Sequence, residues 1–228
     1  MQAEGVFTTA ISWSIVGFAL YYFLFVKRSP GKQDLKALSI QRLGGILFMG
    51  IFPLLLIPLV FKGGLRDYGL TFSFSVPPPW WIWILLPVIL VLSYFQAAAP
   101  KNLELYPQVR DREWTPATLL ISGLGWTAFL LAYEFFFRGF LLFASLQIMD
   151  PLPAVALNCA LYGFAHFYKG PGETFGALPL GILVSYLSIL TGNIWCAVLI
   201  HCVMALSNEW FSLRAHPDMK LIKKRGRG

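Results

Sequence analysis

The run Leu130-Leu131-Ala132-Tyr133-Glu134-Phe135-Phe136-Phe137-Arg138-Gly139-Phe140-Leu141-Leu142-Phe143 decides how this chain folds. Apart from one carboxylate and one guanidinium, it reads as helix buried in a membrane. Both charges are costly there unless they are paired or functional. Four residues apart on a helix, Glu134 and Arg138 lie on one face and can reach each other. Two downstream histidines, His166 and His201, also fall in apolar segments. A glutamate, an arginine and two histidines, drawn from three hydrophobic segments, form the chemistry this sequence has to explain.

The rest of the chain agrees with a membrane setting. Its 228 residues are 57% hydrophobic and only 13% charged, whereas a soluble domain carries about 25% charged residues. Mean hydropathy is +0.65. Seven apolar segments can be read, at roughly 6–26, 43–61, 80–95, 116–147, 151–167, 175–191 and 193–211. They are expected to be helices, because an open structure in lipid must satisfy its own backbone. The fold class is therefore an all-α polytopic transmembrane bundle of about seven to eight spans, a single membrane domain over 1–228. Pro53, Pro58, Pro87 and Pro179 are expected to kink or end helices. Trp80, Trp81 and Trp83 read as an interfacial belt.

Charge sets an orientation. The first apolar run has no Lys or Arg before it, and Lys27 and Arg28 follow it. That is the pattern of an uncleaved first span with its N-terminus outside. Alternating the spans from there puts fifteen basic residues inside, in loops 27–42 and 96–115, at Lys169 and in the tail, against Lys62 and Arg66 outside. The positive-inside rule favours this arrangement, with a cytoplasmic C-terminus. The net charge of +7 thus reads as topology and anionic-lipid contact, with no nucleic-acid partner. Cys159, Cys196 and Cys202 lie in apolar segments without CxxC spacing, so neither disulfides nor a cysteine metal site is expected. Cys159 is two helical turns before His166 and could pair with it, but a buried cysteine serves far more often as a small hydrophobe.

Segment 116–147 is longer than a membrane requires. If its membrane part is 127–147, Glu134 stands level with His166, and residues 113–126 form an interfacial helix or an extension of the span. Glu134, His166 and His201 can then converge on a wet pocket. A carboxylate flanked by imidazoles can activate water as a general base. Arg138 would hold Glu134 by a charge-assisted bond. The same Glu134, His166 and His201 could instead ligate a divalent metal such as zinc, which would activate the water. Glu173 sits past a Gly/Pro-rich turn, near the start of the next helix, where it suits the helix dipole or could serve as a further carboxylate. Structural readings compete: a buried ion pair at Glu134–Arg138, and helix-to-helix hydrogen bonds from the histidines. Gly176, Ala177, Gly181 and Ser185 suit close helix packing.

The segments Tyr133-Glu134-Phe135-Phe136-Phe137-Arg138-Gly139, Tyr162-Gly163-Phe164-Ala165-His166 and Ile200-His201 resemble the three motif regions of the CAAX-protease and bacteriocin-processing (CPBP, or Abi) intramembrane proteases. Those family patterns are EExxxR, FxxxH and HxxxN. The resemblance spans roughly 115–210 and implies a catalytic core at 113–211, between N-terminal spans at 1–112 and a basic cytoplasmic tail at 212–228. It implies an integral protein of a bacterial or archaeal plasma membrane. Such an enzyme is an endopeptidase that hydrolyses a peptide bond of a membrane-associated protein or peptide with a Glu/His-activated water, without an obligatory cofactor. The expected catalytic residues are Glu134, Arg138, His166, His201 and Glu173. The sequence departs from the family at three points. Tyr133 occupies the first glutamate position, Tyr162 replaces the phenylalanine, and Ala205 stands where an asparagine is expected. Tyr133, Tyr162 and Asn208 are candidates for the substrate and oxyanion contacts, and Asn158 is a further asparagine within reach. The departures also suit a non-catalytic member of the fold, an immunity factor or scaffold. A small transporter with a polar pathway is a third reading, weakened because no inverted repeat is visible.

Overall fold

The protein, described from a computed structural model, is defined over residues 3–27, 33–61 and 63–222. Arg28, Lys32, Lys62, Lys223, Lys224, Arg225 and Arg227, which contribute to the charge argument, lie outside the described residues. Besides two short 3-10 turns at Leu65–Tyr68 and Phe167–Lys169, the described residues form eight helices: α1 (Ala3–Val26), α2 (Leu35–Phe61), α3 (Ile82–Gln96), α4 (Pro100–Leu105), α5 (Pro116–Ser145), α6 (Pro151–His166), α7 (Pro171–Thr191) and α8 (Trp195–Ala215). Helices α1, α2, α5, α7 and α8 are long and apolar enough to cross a membrane. Helices α3 and α6 hold 15 and 16 residues, which is about 22–24 Å of helix against a hydrocarbon core of about 30 Å. The polytopic bundle is as expected.

The prolines act more gently than their chemistry suggests. Pro53 and Pro58 lie within α2, Pro87 within α3 and Pro179 within α7, and none of them ends its helix. In α2 Pro53 follows one wider π turn at Ile46–Ile51 and Pro58 lies in another at Ile57–Phe61. A span has no water to rescue a broken backbone, so local rewinding is cheaper than a break. Helix starts follow side-chain capping. Asp34 accepts from the Ala37 amide at 2.7 Å to begin α2. Thr115 accepts from the Thr118 amide at 3.1 Å to begin α5, with Pro116 at its first position.

Helix α5 is the axis of the bundle. It is one continuous helix of 30 residues, about 45 Å long, so 116–126 extends the span rather than forming a separate interfacial helix. Its Tyr133, Phe136, Phe137 and Leu141 pack with Tyr21 of α1, Met49 of α2, Tyr162 of α6 and Ala177 of α7. Gly139 lets the segment at Tyr68 approach: a Cβ there would lie 2.7 Å from the Tyr68 carbonyl oxygen. A second cluster joins Ile82 of α3, Val184 and Leu187 of α7, and Cys196 and Ile200 of α8.

One feature differs from the expected all-helical plan. Residues Glu113–Trp114 (β1) and Lys220–Leu221 (β2) pair in parallel as a two-stranded sheet. The start of the basic tail thus belongs to the fold: α8 continues to Ala215, and Met219 packs with Leu38, Val109, Trp114 and Leu213. The Gly/Pro turn is tight, as expected: Gly170 adopts φ +98°, α7 begins at Pro171 and Glu173 lies in its first turn.

Candidate active site

Glu134 is the last regular residue before a widened stretch of α5, because Phe135–Leu141 is wound as a π-helix. Such a stretch displaces backbone hydrogen bonds and re-aims side chains. Asn158 of α6 braces it. Its Nδ2 donates to the Phe137 carbonyl at 2.6 Å, and its Oδ1 accepts from Ser185 Oγ at 3.3 Å. Asn158 is therefore engaged in holding the π stretch and is not the spare oxyanion donor that the sequence allows.

Glu134 is fully buried and sits between two cationic or polar partners. Its Oε1 lies 2.5 Å from His201 Nδ1, and its Oε2 lies 3.4 Å from Arg138 Nε. The second contact is an ion pair by distance without hydrogen-bond alignment: Glu134 Oε2 and all three Arg138 nitrogens lack hydrogen-bond partners among the described residues. The guanidinium is stabilised from another direction. Its carbon stands 3.9 Å from the Tyr162 ring centre and 5.7 Å from that of Phe137, a cation–π arrangement strongest in dry surroundings. Gly181 leaves the room for it, since a Cβ there would meet Tyr162 at 3.1 Å, Cys159 Sγ at 3.3 Å and Arg138 Nη2 at 3.4 Å. Cys159 thus faces α7, and no hydrogen bond joins it to His166.

The histidine partners fix the tautomers. His166 Nδ1 is 2.9 Å from the Tyr162 carbonyl, which can only accept, so in the neutral ring Nδ1 holds the proton and Nε2 the lone pair. His201 Nδ1 faces a carboxylate, and the same logic leaves its Nε2 as the basic nitrogen. Tyr133 stands between the two imidazoles. Its ring meets them edge-on at centroid distances of 6.0 and 5.9 Å, and its hydroxyl is 3.4 Å from His166 Nδ1.

These groups border a cavity of about 1300 Å³. Tyr133, Tyr162, His166 and His201 line its inner part; Glu134 and Arg138 do not line it. Glu134 is thus placed behind His201, with no hydrogen bond to His166, and not beside a water held by both rings. Glu173, half-buried in the first turn of α7, lines the cavity without reaching Glu134. Asn208 lines the wall two turns along α8 from His201, and Ala205 packs against Trp126 and Leu130. Lys27, Arg110, Arg112 and Lys169 add basic character. Burial pushes the Tyr106 phenol up to about 12, so it brings no negative charge to this wall. Tyr162 is fully buried, and its hydroxyl makes no aligned hydrogen bond among the described residues.

For the metal alternative, His166 and His201 keep Nε2 free while Nδ1 of each is held by a carbonyl or a carboxylate, an arrangement imidazole ligands share, but Glu134 does not line the cavity with them. Among the described residues, no group of three or more His, Cys, Asp or Glu is placed to hold an ion. No step below is routed through a metal.

A second buried charge cluster went unread in the sequence. Arg42, expected in a loop, is on α2 and buried. It donates to the Ser122 carbonyl at 2.8 Å, to Ser122 Oγ at 3.2 Å and to Gln108 Oε1 at 3.3 Å, and lies 4.9 Å from the Trp126 ring centre. Glu209 of α8 is buried and accepts from the Gln108 amide at 2.7 Å. The signal was present: a carboxylate inside an apolar helix invites the question already asked of Glu134.

Residues 128–207 match the family described as Rce1-like, type II CAAX prenyl endopeptidase Rce1-like. The matched segment takes in Glu134, Arg138, His166, Glu173 and His201 and agrees with the resemblance carried by the three motifs. No curated protein and no solved structure matches the chain.

Proposed function

We propose that this chain, whose 128–207 segment is Rce1-like, is an intramembrane endopeptidase. It hydrolyses a peptide bond of a membrane-associated protein or peptide, at a site reached from the cytoplasmic side. The observation that carries the reading is the 2.5 Å contact between buried Glu134 and His201 at the wall of a large cavity.

The chemistry follows from that contact. His201 Nε2 takes a proton from a cavity water as the water oxygen attacks the scissile carbonyl carbon. Glu134 fixes the tautomer and stabilises the imidazolium that forms. Arg138 holds Glu134 in place by charge pairing. His201 then returns the proton to the departing amine, leaving a carboxylate and an amine as products. His166, with its own Nε2 free, orders the water or the substrate. Glu173 stands as an additional acidic group at the cavity wall. The positive-inside pattern supports the orientation.

The test compares membrane proteomes of cells carrying the wild-type protein with cells carrying Glu134→Gln, mapping new peptide termini by mass spectrometry. Termini that appear only with the wild type identify substrate and bond together. Identical termini, with the variant present and folded, would transfer the assignment to a non-catalytic scaffold or immunity factor. Tyr133 and Ala205, standing where the family keeps catalytic groups, are the observations behind that second reading.

A further inference from the structure

We propose that the Tyr133 hydroxyl is the hydrogen-bond donor that holds the scissile carbonyl oxygen as it becomes an oxyanion. The inference rests on the endopeptidase reading and assigns a catalytic residue at the position where the sequence departs from its family.

Tyr133 lines the cavity between the two imidazoles. Its ring is fixed on several sides, by Phe129, Phe137 and Tyr162 at centroid distances of 5.8, 4.9 and 5.7 Å. A donor clamped this way pays little reorganisation on reaction. Its hydroxyl also lacks a good acceptor. Its one hydrogen-bond partner among the described residues is His166 Nδ1 at 3.4 Å, and that nitrogen already directs its proton to the Tyr162 carbonyl at 2.9 Å. Two donors therefore face each other, and the phenolic proton is left for an oxygen arriving from the cavity.

The alternatives are placed less well. Asn158 is committed to the Phe137 carbonyl. Asn208 is seven residues, about 10 Å, along α8 from His201, too far to share one carbonyl group with it. Ala205 has no donor. Arg138 does not line the cavity.

In the attack step the water oxygen bonds to the carbonyl carbon and its proton passes to His201 Nε2. The carbonyl π pair moves onto oxygen, which accepts from Tyr133 Oη. When the C–N bond breaks, that pair returns, His201 protonates the amine, and the phenol ends unchanged. Tyrosine in place of a carboxylate also avoids a second anion beside Glu134, which would raise the cost of keeping either one ionised.

The test uses the full-length protein in proteoliposomes and a synthetic peptide spanning the bond mapped with the wild type. Tyr133→Phe keeps the ring and removes one oxygen. The expected result is kcat reduced about 100- to 1000-fold with KM unchanged. A phosphonate analogue of that peptide should bind about 100-fold more weakly to the variant, while the cleaved product peptide binds equally to both. Wild-type kcat in Tyr133→Phe overturns the inference and leaves the endopeptidase reading standing. A loss shared equally by kcat, phosphonate and product peptide also overturns it, because that pattern marks general disruption of the site. Absence of cleavage by the wild-type protein overturns both.

Discussion

Two buried charge clusters stand in this molecule, and they are satisfied in opposite ways. Arg42 and Glu209 are anchored to backbone, through the Ser122 carbonyl and the Gln108 amide. Glu134 and Arg138 have no backbone partner recorded: the carboxylate meets His201, and the guanidinium lies over Tyr162. A charge tied to main-chain groups fixes the path of the chain, here holding segment 106–114 against α2 and α8. A charge tied to a titratable ring can instead change that ring's affinity for a proton. The contrast suits a structural role for the first cluster and the proposed chemical role for the second.

The largest expected effect breaks the second cluster. His201→Ala removes the basic nitrogen and should lower turnover of the mapped peptide by about 1000-fold, within the usual range for a lost general base. The unfolding midpoint in detergent should fall as well, because buried Glu134 loses its 2.5 Å partner and keeps only Arg138. A large fall in the midpoint with retained turnover would reverse the assignment of the two clusters.

The reciprocal experiment acts on the first cluster. Arg42→Met or Glu209→Leu alone should cost about 3 kcal/mol of stability, measured by reversible unfolding in mixed micelles, since each leaves a buried charge with less compensation. Activity per folded molecule should stay near wild type. The double substitution should cost less than the sum of the two, as coupled neighbours do. Additive losses would show that Arg42 and Glu209 act independently despite sharing Gln108.

Asn158→Ala sharpens the comparison from within. It removes the bond to the Phe137 carbonyl and should cost about 1–2 kcal/mol of stability. Because the π stretch it braces carries Arg138, turnover should fall as well, though less than in His201→Ala. Unchanged stability would mean the π winding holds without Asn158.

How far the sequence revealed this arrangement depends on what kind of information each part needs. Periodic apolar segments made the helical bundle legible, because lipid admits few other backbones. The spacing of Glu134 and Arg138 and the family motifs made most of the site legible. The order of its layers was not: only packing places Glu134 behind His201 rather than at the cavity. Arg42 was hidden because its charge suited the topology count, and a loop reading consumed it before burial could be asked about. Of the two outcomes expected at the prolines, ending the helix is absent, because a span has no water to take up freed backbone groups. The β1–β2 pairing joins residues more than 100 positions apart through two-residue strands, and local pattern carries no such register.

The smallest expected effect is the most discriminating one. Tyr162→Phe removes a fully buried hydroxyl that makes no aligned hydrogen bond among the described residues, although the Arg138 guanidinium lies beside it. Stability should change by less than about 0.5 kcal/mol or rise, since a buried polar atom without a hydrogen bond is itself a cost. The ring still covers Arg138, and the Tyr162 carbonyl still fixes His166, so turnover should remain within about twofold of wild type. Tyr133 and Tyr162 lie 5.7 Å apart between ring centres, and of the two only Tyr133 brings its hydroxyl within hydrogen-bond distance of an imidazole. A loss in Tyr162→Phe as large as that in Tyr133→Phe would show that the two phenols act together on the oxyanion. A silent Tyr162→Phe beside a crippled Tyr133→Phe would place the donor on α5 alone.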